Sequence, residues 1–294
     1  IHFAPIDDTH FLYAGFTKEQ LHLPFRTEHH GKGLTLVPSQ KELRYLIPFG
    51  RVDRVIEYLK CTAEKFPDGC AVYADDGEKF GVWPKTFEHC DTDGWVDQFL
   101  GALSRESDWL DVVHLGEIAS KVSGARAYLP TASYAEMLHW ALPPEQYRSF
   151  EDFEHWLDKQ GKKQSYGHFV RGGHWRGFLT KYEEVNLLQK KMLSISDRID
   201  SIKENSKNSE LLATAREHLY ASQCNCPYWH GIFGGIYLPH IRKAVYSEML
   251  QAEAILRRLE RRRGVSVAIA DIDADGIEDI VLESDTTHAV VMPF

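Results

Sequence analysis

Short apolar runs alternate with helical stretches through the first half of this 294-residue chain, and that alternation decides the fold class. Residues 1–6 lead into Asp7-Asp8-Thr9-His10, and residues 34–37 lead into Pro38-Ser39-Gln40 and a helical stretch over 52–59. CAVYA at 70–74 runs into Asp75-Asp76-Gly77-Glu78, and Val112-Val113 comes before His114 and Gly116. Residues 127–129 lead into Pro130-Thr131, after which Ser133 and Glu136 are spaced as a capping box. Apolar strands separated by helices predict parallel βα units covered on both faces. About five such units are visible, too few to close a barrel by themselves.

Past residue 150 the pattern becomes helical. Residues 149–159 carry Phe153, Trp156 and Leu157 on one face and stop at Gly161. A long helix is predicted over 175–203, because Val185, Leu188, Met192, Ile195, Ile199 and Ile202 recur at steps of three and four. Helices over 211–222 and 241–263 complete a three-helix bundle. From Val265 onward the text is strand-like, the opening of a β-rich domain whose few strands cannot bury a core alone.

Composition narrows the function. The net charge of −9 repels phosphate backbones, so nucleic acid is not an expected partner. The basic run over 257–263 reads as a solvated helix end, where cations favour the dipole. No apolar stretch reaches the roughly 20 residues of a membrane span, and no signal-peptide pattern opens the text. Five cysteines make no disulfide framework, so a reducing, cytoplasmic setting is expected.

The chemistry concentrates in Asp75-Asp76-Gly77-Glu78-Lys79-Phe80-Gly81-Val82-Trp83. Three carboxylates in four positions at the end of a buried run repel one another and raise at least one pKa, which keeps an acid protonated near neutral pH. Trp83 adds a flat apolar face, and acid plus aromatic platform suits a sugar; an ordinary acidic turn is the alternative. Asp7, Asp8 and His10 form a second polar cluster, open to the same two readings. Cys224, Cys226 and His230 have metal-binding side chains but lack a fourth partner and a C-x-x-C pair. Gly231, Gly234 and Gly235 precede no Lys-Ser/Thr and read as close backbone packing. No Gly-x-Ser-x-Gly, His-Glu-x-x-His or dinucleotide fingerprint occurs. Asp271, Asp273, Asp275 and Asp279 alternate as calcium ligands do, but Leu282 at the twelfth position excludes an EF-hand. A strand-flanked calcium loop and a plain acidic turn remain.

Several segments together resemble glycoside hydrolase family 57, in its 4-α-glucanotransferase and α-amylase branch: DDTHF (7–11), KELRYLIPF (41–49), DDGEKFGVWP (75–84), YLPTASYAEMLHWALP (128–143), WRGFLTKYEEVNLLQKKML (175–193), CPYWHGIFGGIYLPHIR (226–242) and DIDADGIEDIVLES (271–284). The resemblance implies an α/β fold: the C-terminal part of a (β/α)7 barrel over 1–150, a helical domain closing the active site over 151–263, and the first strands of a β-sandwich over 264–294. It implies that Asp76 is the general acid/base of a retaining glycosidase, with Trp83, Trp229 and His230 lining the glucan path; Asp8, His10 and Glu78 are further candidate substrate contacts. The proton donor is expected beside the indoles of Trp83 and Trp229. The expected partner is an α-1,4-glucan or maltooligosaccharide, with a homodimer as a candidate assembly. No cofactor is expected for catalysis, and a structural calcium is the candidate metal. The family's Glu nucleophile falls upstream of the DDTHF-like segment, so the chain alone is expected to be inactive. Two other classes compete: a non-catalytic glucan-binding module, and an interaction protein built on the helices.

Overall fold

The computed structural model describes residues 2–121, 124–130 and 133–293; Ile1 and Thr131 lie outside the described residues. Contacts divide the chain into two compact units, 1–175 and 176–294, where the sequence reading has three segments.

The first unit is built on a three-stranded sheet in the order β1-β3-β2: β1 (Phe3–Asp7), β2 (Phe25–His29) and β3 (Lys32–Ser39). β1 and β3 run parallel, with Phe3 opposite Thr35 and Asp7 opposite Ser39. β2 pairs with β3 as a hairpin whose turn residues His30 and Gly31 both have positive φ, 48° and 76°. That is the turn whose twist matches the flanking strands. The row of five parallel strands is therefore not what forms: β1–β3 is the parallel ladder, and β2 beside it is antiparallel. Residues 70–74 are extended, but the Gln40 side chain takes the place of a ladder there. Its Oε1 accepts from the Val72 N–H, its Nε2 donates to the Leu21 carbonyl at 3.0 Å, and the Gln40 N–H donates to the Val72 carbonyl at 3.0 Å. Residues 125–127 make a single parallel bridge to Arg26, and Val112 and Val113 lie exposed without a strand.

Both parallel strands deliver the chain into helices at the same sheet edge. β1 feeds α1 (Asp8–Tyr13), and β3 feeds α2 (Lys41–Leu46). α3 (Val52–Lys65) and α4 (Trp95–Arg105) pack through Val55 and Trp95 against Leu43 and Ile47. A second cluster joins Phe11, Leu21, Phe25, Leu36 and Ala127. α5 (Leu115–Ser120), α6 (Ala135–Trp140), α7 (Pro144–Lys159) and α8 (Lys163–Tyr166) complete this unit. The Ser133–Glu136 capping box does not form. α6 starts after Tyr134, the Ser133 N–H is spent on His10, and Glu136 turns to Tyr45 and Lys41.

The second unit opens with α9 (Gly177–Lys181) and α10 (Glu183–Ser201), one predicted helix broken at the extended residue Tyr182. The break turns the Tyr182 hydroxyl to His230 Nδ1 at 3.1 Å, and it accepts from the Tyr237 hydroxyl at 3.2 Å. α11 (Ser209–Ser222) and α12 (Pro239–Leu259) lie against each other and against α10. The predicted seam is buried at Val185, Leu188, Ile195 and Ile199, and the helices packed against it bury Leu212, Ala215, Val245, Met249 and Leu256. Each of the Val, Leu, Ile and Met side chains contributes roughly 1.5–3 kcal/mol on leaving water.

β4 (Ser266–Ala270), β5 (Asp279–Glu283) and β6 (His288–Val291) form an antiparallel sheet. Glu283 and His288 on its inner face join an ionic cluster with the helices. The Lys191 ammonium donates to both oxygens of Glu253 at 2.8 Å and lies 3.2 Å from His288 Nε2, and Arg198 reaches Glu260 and Glu283 at 3.2 Å. The outer face leaves Val267, Ile269, Ile280 and Val291 exposed. No helix among the described residues is long and apolar enough to cross a membrane.

Candidate active site

The acidic residues of the first unit gather where β1, β3 and the 70–76 segment end, and Arg44 of α2 ties them together. Its Nη1 donates to Asp7 Oδ2 at 2.8 Å, its Nε lies 3.7 Å from Asp75 Oδ1, and its guanidinium sits 5.0 Å from the Tyr134 ring centre. Lys79, buried on the turn that follows Asp76, donates to the Arg44 carbonyl at 2.7 Å and pairs with Asp75 Oδ2. The same ammonium lies 5.4 Å from the Phe49 ring centre and 5.6 Å from that of Trp83, and those two rings stack at 6.2 Å and 23°. Two cations thus flank Asp75 in a nearly dry place, its side chain 2% exposed.

Asp76 is placed differently. It precedes the tight turn Gly77–Phe80, its N–H donates to Asp75 Oδ1 at 2.9 Å, and the residue is exposed. The expectation of an acid sheltered by rings is therefore corrected in part: Trp83 belongs to the same cluster and is half-buried, while Asp76 opens to solvent. The Asp76 carboxyl is nonetheless raised above the usual value, by the protein surface behind it and then by Asp75 and Glu78. The two adjacent aspartates thus differ in surroundings, Asp75 paired with two cations and Asp76 with its pKa raised. Glu78 is exposed, and its carbonyl accepts from the Trp83 N–H at 3.0 Å, setting the turn that carries the indole.

Asp8 starts α1 behind Asp7, which caps the helix by accepting from the Thr9 N–H at 3.0 Å. Burial, then the Asp7 charge, pushes Asp8 up to about 6, against the opposing pull of Lys41 and Lys18. His10 is 2% exposed, and its Nε2 accepts from the Ser133 N–H at 2.9 Å; burial lowers its pKa, so the ring is neutral. Its position ties α1 to the chain before α6. Glu136 is held below its ordinary value although burial alone would raise it, because the Tyr45 hydroxyl at 2.6 Å and Lys41 at 3.2 Å outweigh burial. The sequence assigns no role to Arg44, Lys79 or Tyr134, and gives Asp75 only a place among three neighbouring carboxylates. KELRYLIPF, DDGEKFGVWP and YLPTASYAEMLHWALP contain these residues, but spacing does not show that they meet.

In the second unit Trp229 is 5% exposed and packs at 5.8 Å on Phe178, so its indole is a core ring and not an open face. His230 contacts the rings of Phe178 and Tyr182, and burial lowers its pKa. The glycines close this loop as expected, since a Cβ at Gly235, φ 46°, would run into the main chain of Trp229 and His230. Cys224 and Cys226 are exposed. Among the described residues, two groups bring three metal-binding side chains together, and neither contains these cysteines. One is Glu253, Glu283 and His288, where the Lys191 ammonium already supplies the cation. The other is Asp271, Asp273 and Asp275. Asp279, the fourth predicted ligand, is instead buried and accepts from the Ile272 N–H at 2.9 Å, closing the loop from below.

Two family models match the chain: "Glycosyl hydrolase family 57" over residues 2–130, and "Alpha-amylase/4-alpha-glucanotransferase, middle domain" over 173–256. A 4-alpha-glucanotransferase of Thermococcus litoralis is 39% identical over all 294 residues, and an alpha-amylase of Pyrococcus furiosus is 38% identical over 293. The chain spans 42% of the length of each of these relatives. The crystal structure of the 4-alpha-glucanotransferase from Thermococcus litoralis superposes with a TM-score of 0.81, covering all of this chain and 43% of that one. Over residues 2–130 the chain thus matches glycosyl hydrolase family 57, and over its whole length it is similar to these glucanotransferases and amylases.

Proposed function

We propose that this chain is part of a retaining glycosidase that cleaves α-1,4-glucan and passes the glycosyl group to another glucan or to water. The observation that carries the reading is the division of labour between Asp75 and Asp76. Lys79 and Arg44 both pair with Asp75, and burial, then Asp75 and Glu78, raises the pKa of Asp76 next to it. Asp76 is the general acid/base, giving its proton to the glycosidic oxygen and later taking one from the acceptor. In a retaining mechanism a second carboxylate attacks the anomeric carbon, about 5–5.5 Å from the first. Trp83 offers its face to the CH side of a glucose unit, and Asp8 and Glu78 take its hydroxyls. His10 positions α1 from beneath. Trp229 and His230 hold the loop that exposes Phe233 and Tyr237, rings suited to a glucan chain. We further propose that the first unit is the C-terminal part of a (β/α)7 barrel and that the last strands open a β-sandwich. A calcium ion would suit Asp271, Asp273 and Asp275; an unchanged melting temperature on adding calcium after chelation would dismiss it.

The exposure of Asp76 favours a second reading, a glucan-binding module without chemistry. Incubating maltoheptaose with the natural gene product separates the two. Longer and shorter oligosaccharides, or hydrolysis products, support the enzyme, and saturable binding with no product supports the module.

A further inference from the structure

Five arginines occupy seven positions at the end of α12: Arg257, Arg258, Arg261, Arg262 and Arg263. A helix C-terminus favours one or two cations, but so many at close range repel one another. The structure sorts them into two groups. Arg257 is buried and donates to the Gly264 carbonyl at 2.7 Å, Ser266 Oγ at 3.1 Å and Glu283 at 3.3 Å, and Arg262 pairs with Glu260 at 2.8 Å. Arg258, Arg261 and Arg263 are exposed, with no ion pair among the described residues. All five line one open cavity of about 700 Å3, and Asp285 is the acid on its wall.

Two further features mark the place. The Nε of Arg257 is buried without a hydrogen-bond partner, an unmet donor on a guanidinium that is otherwise fully engaged. The helix is closed by a bond from the Arg262 N–H to the Arg257 carbonyl at 3.0 Å, which puts Arg261 in the left-handed region at φ 56°. Glycine usually takes that position. A bulky arginine held there, beside cations that repel it, is strain of the kind that collects at ligand sites.

We propose that this cavity binds a phosphate-bearing small molecule. Planar guanidinium forks match phosphate oxygens two at a time, and three unpaired arginines supply the charge for a dianion or more. The volume admits a pyrophosphate or a hexose phosphate. The chain's net charge of −9 disfavours an extended polyanion over a small one.

Titration calorimetry on the full chain tests it with inorganic pyrophosphate, glucose 6-phosphate and neutral glucose. Saturable binding of either phosphate is expected, with Kd raised at least ten-fold in the Arg258→Ser/Arg263→Ser double variant. Arg261→Gly should weaken binding while its melting temperature stays level or rises, which separates lost binding from lost folding. Tighter pyrophosphate binding would identify a free phosphate as the source, and tighter glucose 6-phosphate binding a sugar ester. Binding absent at millimolar concentration, equal for glucose and glucose 6-phosphate, or unchanged in the variants would overturn the site.

Discussion

Lys79 and Asp75 form a buried ion pair within one turn, their side chains 7% and 2% exposed, directly beside the exposed Asp76. Removing one partner of such a pair leaves a charge without its counter-ion, which costs about 3–5 kcal/mol. Lys79→Met should lower the unfolding free energy by that order in a urea titration. Asp75→Asn in the same background should recover much of the loss. A Lys79→Met variant within about 0.5 kcal/mol of the wild type, the usual scatter of surface substitutions, would contradict the pairing.

Asp8 gives the chain a pH dependence of definite sign. Its folded pKa, about 6, lies above the unfolded value, so its contribution to stability is fully present at low pH. It is lost as the pH rises through 6. Asp8→Asn should therefore be more stable than the wild type at pH 7, by about 1–3 kcal/mol, and the advantage should vanish near pH 4. A carboxyl carbon titration by NMR should show a midpoint near 6. A midpoint near 4 would remove the basis for the prediction.

Trp83 carries one face of the ring pair with Phe49 and lies under the Lys79 ammonium. In the natural gene product Trp83→Ala should raise KM for maltoheptaose by about ten-fold, since an aromatic contact of this kind amounts to roughly 0.5–1.5 kcal/mol beyond area. The melting temperature should move little, because the ring is half-buried. An unchanged KM would place the glucan elsewhere.

Gly235 leaves no room for a side chain against Trp229 and His230. Gly235→Ala should destabilise the second unit by about 1–3 kcal/mol, the usual range for overpacking. Its intrinsic tryptophan fluorescence should shift as Trp229 becomes wetter. A variant with wild-type stability and emission would show that the loop accommodates a methyl group.

The helical seam of the second unit is readable in advance because Val185, Leu188, Ile195 and Ile199 keep a strict three-and-four spacing. The break at Tyr182 is not, since it serves a hydroxyl bridge to His230, more than forty residues away. In the first unit the apolar runs are legible but their pairing is not. Gln40 replaces ladder bonds with a side chain, and the His30-Gly31 turn lacks the usual Asn or Asp signal. The acidic motif points to Asp76, whereas the ion-pair clamp beside it depends on Arg44, remote in sequence from both Asp7 and Asp75. Trp229 reads as a platform because an indole in a loop is ambiguous, and only packing against Phe178 shows that its faces are covered.

Turnover of maltoheptaose by the natural gene product and its Asp76→Asn variant tests the central claim most directly. The amide keeps the shape of the side chain and cannot transfer the proton. A general acid/base contributes about 10²- to 10⁴-fold, so kcat should fall by that much while maltoheptaose binding persists. Undiminished kcat in the variant would contradict the account.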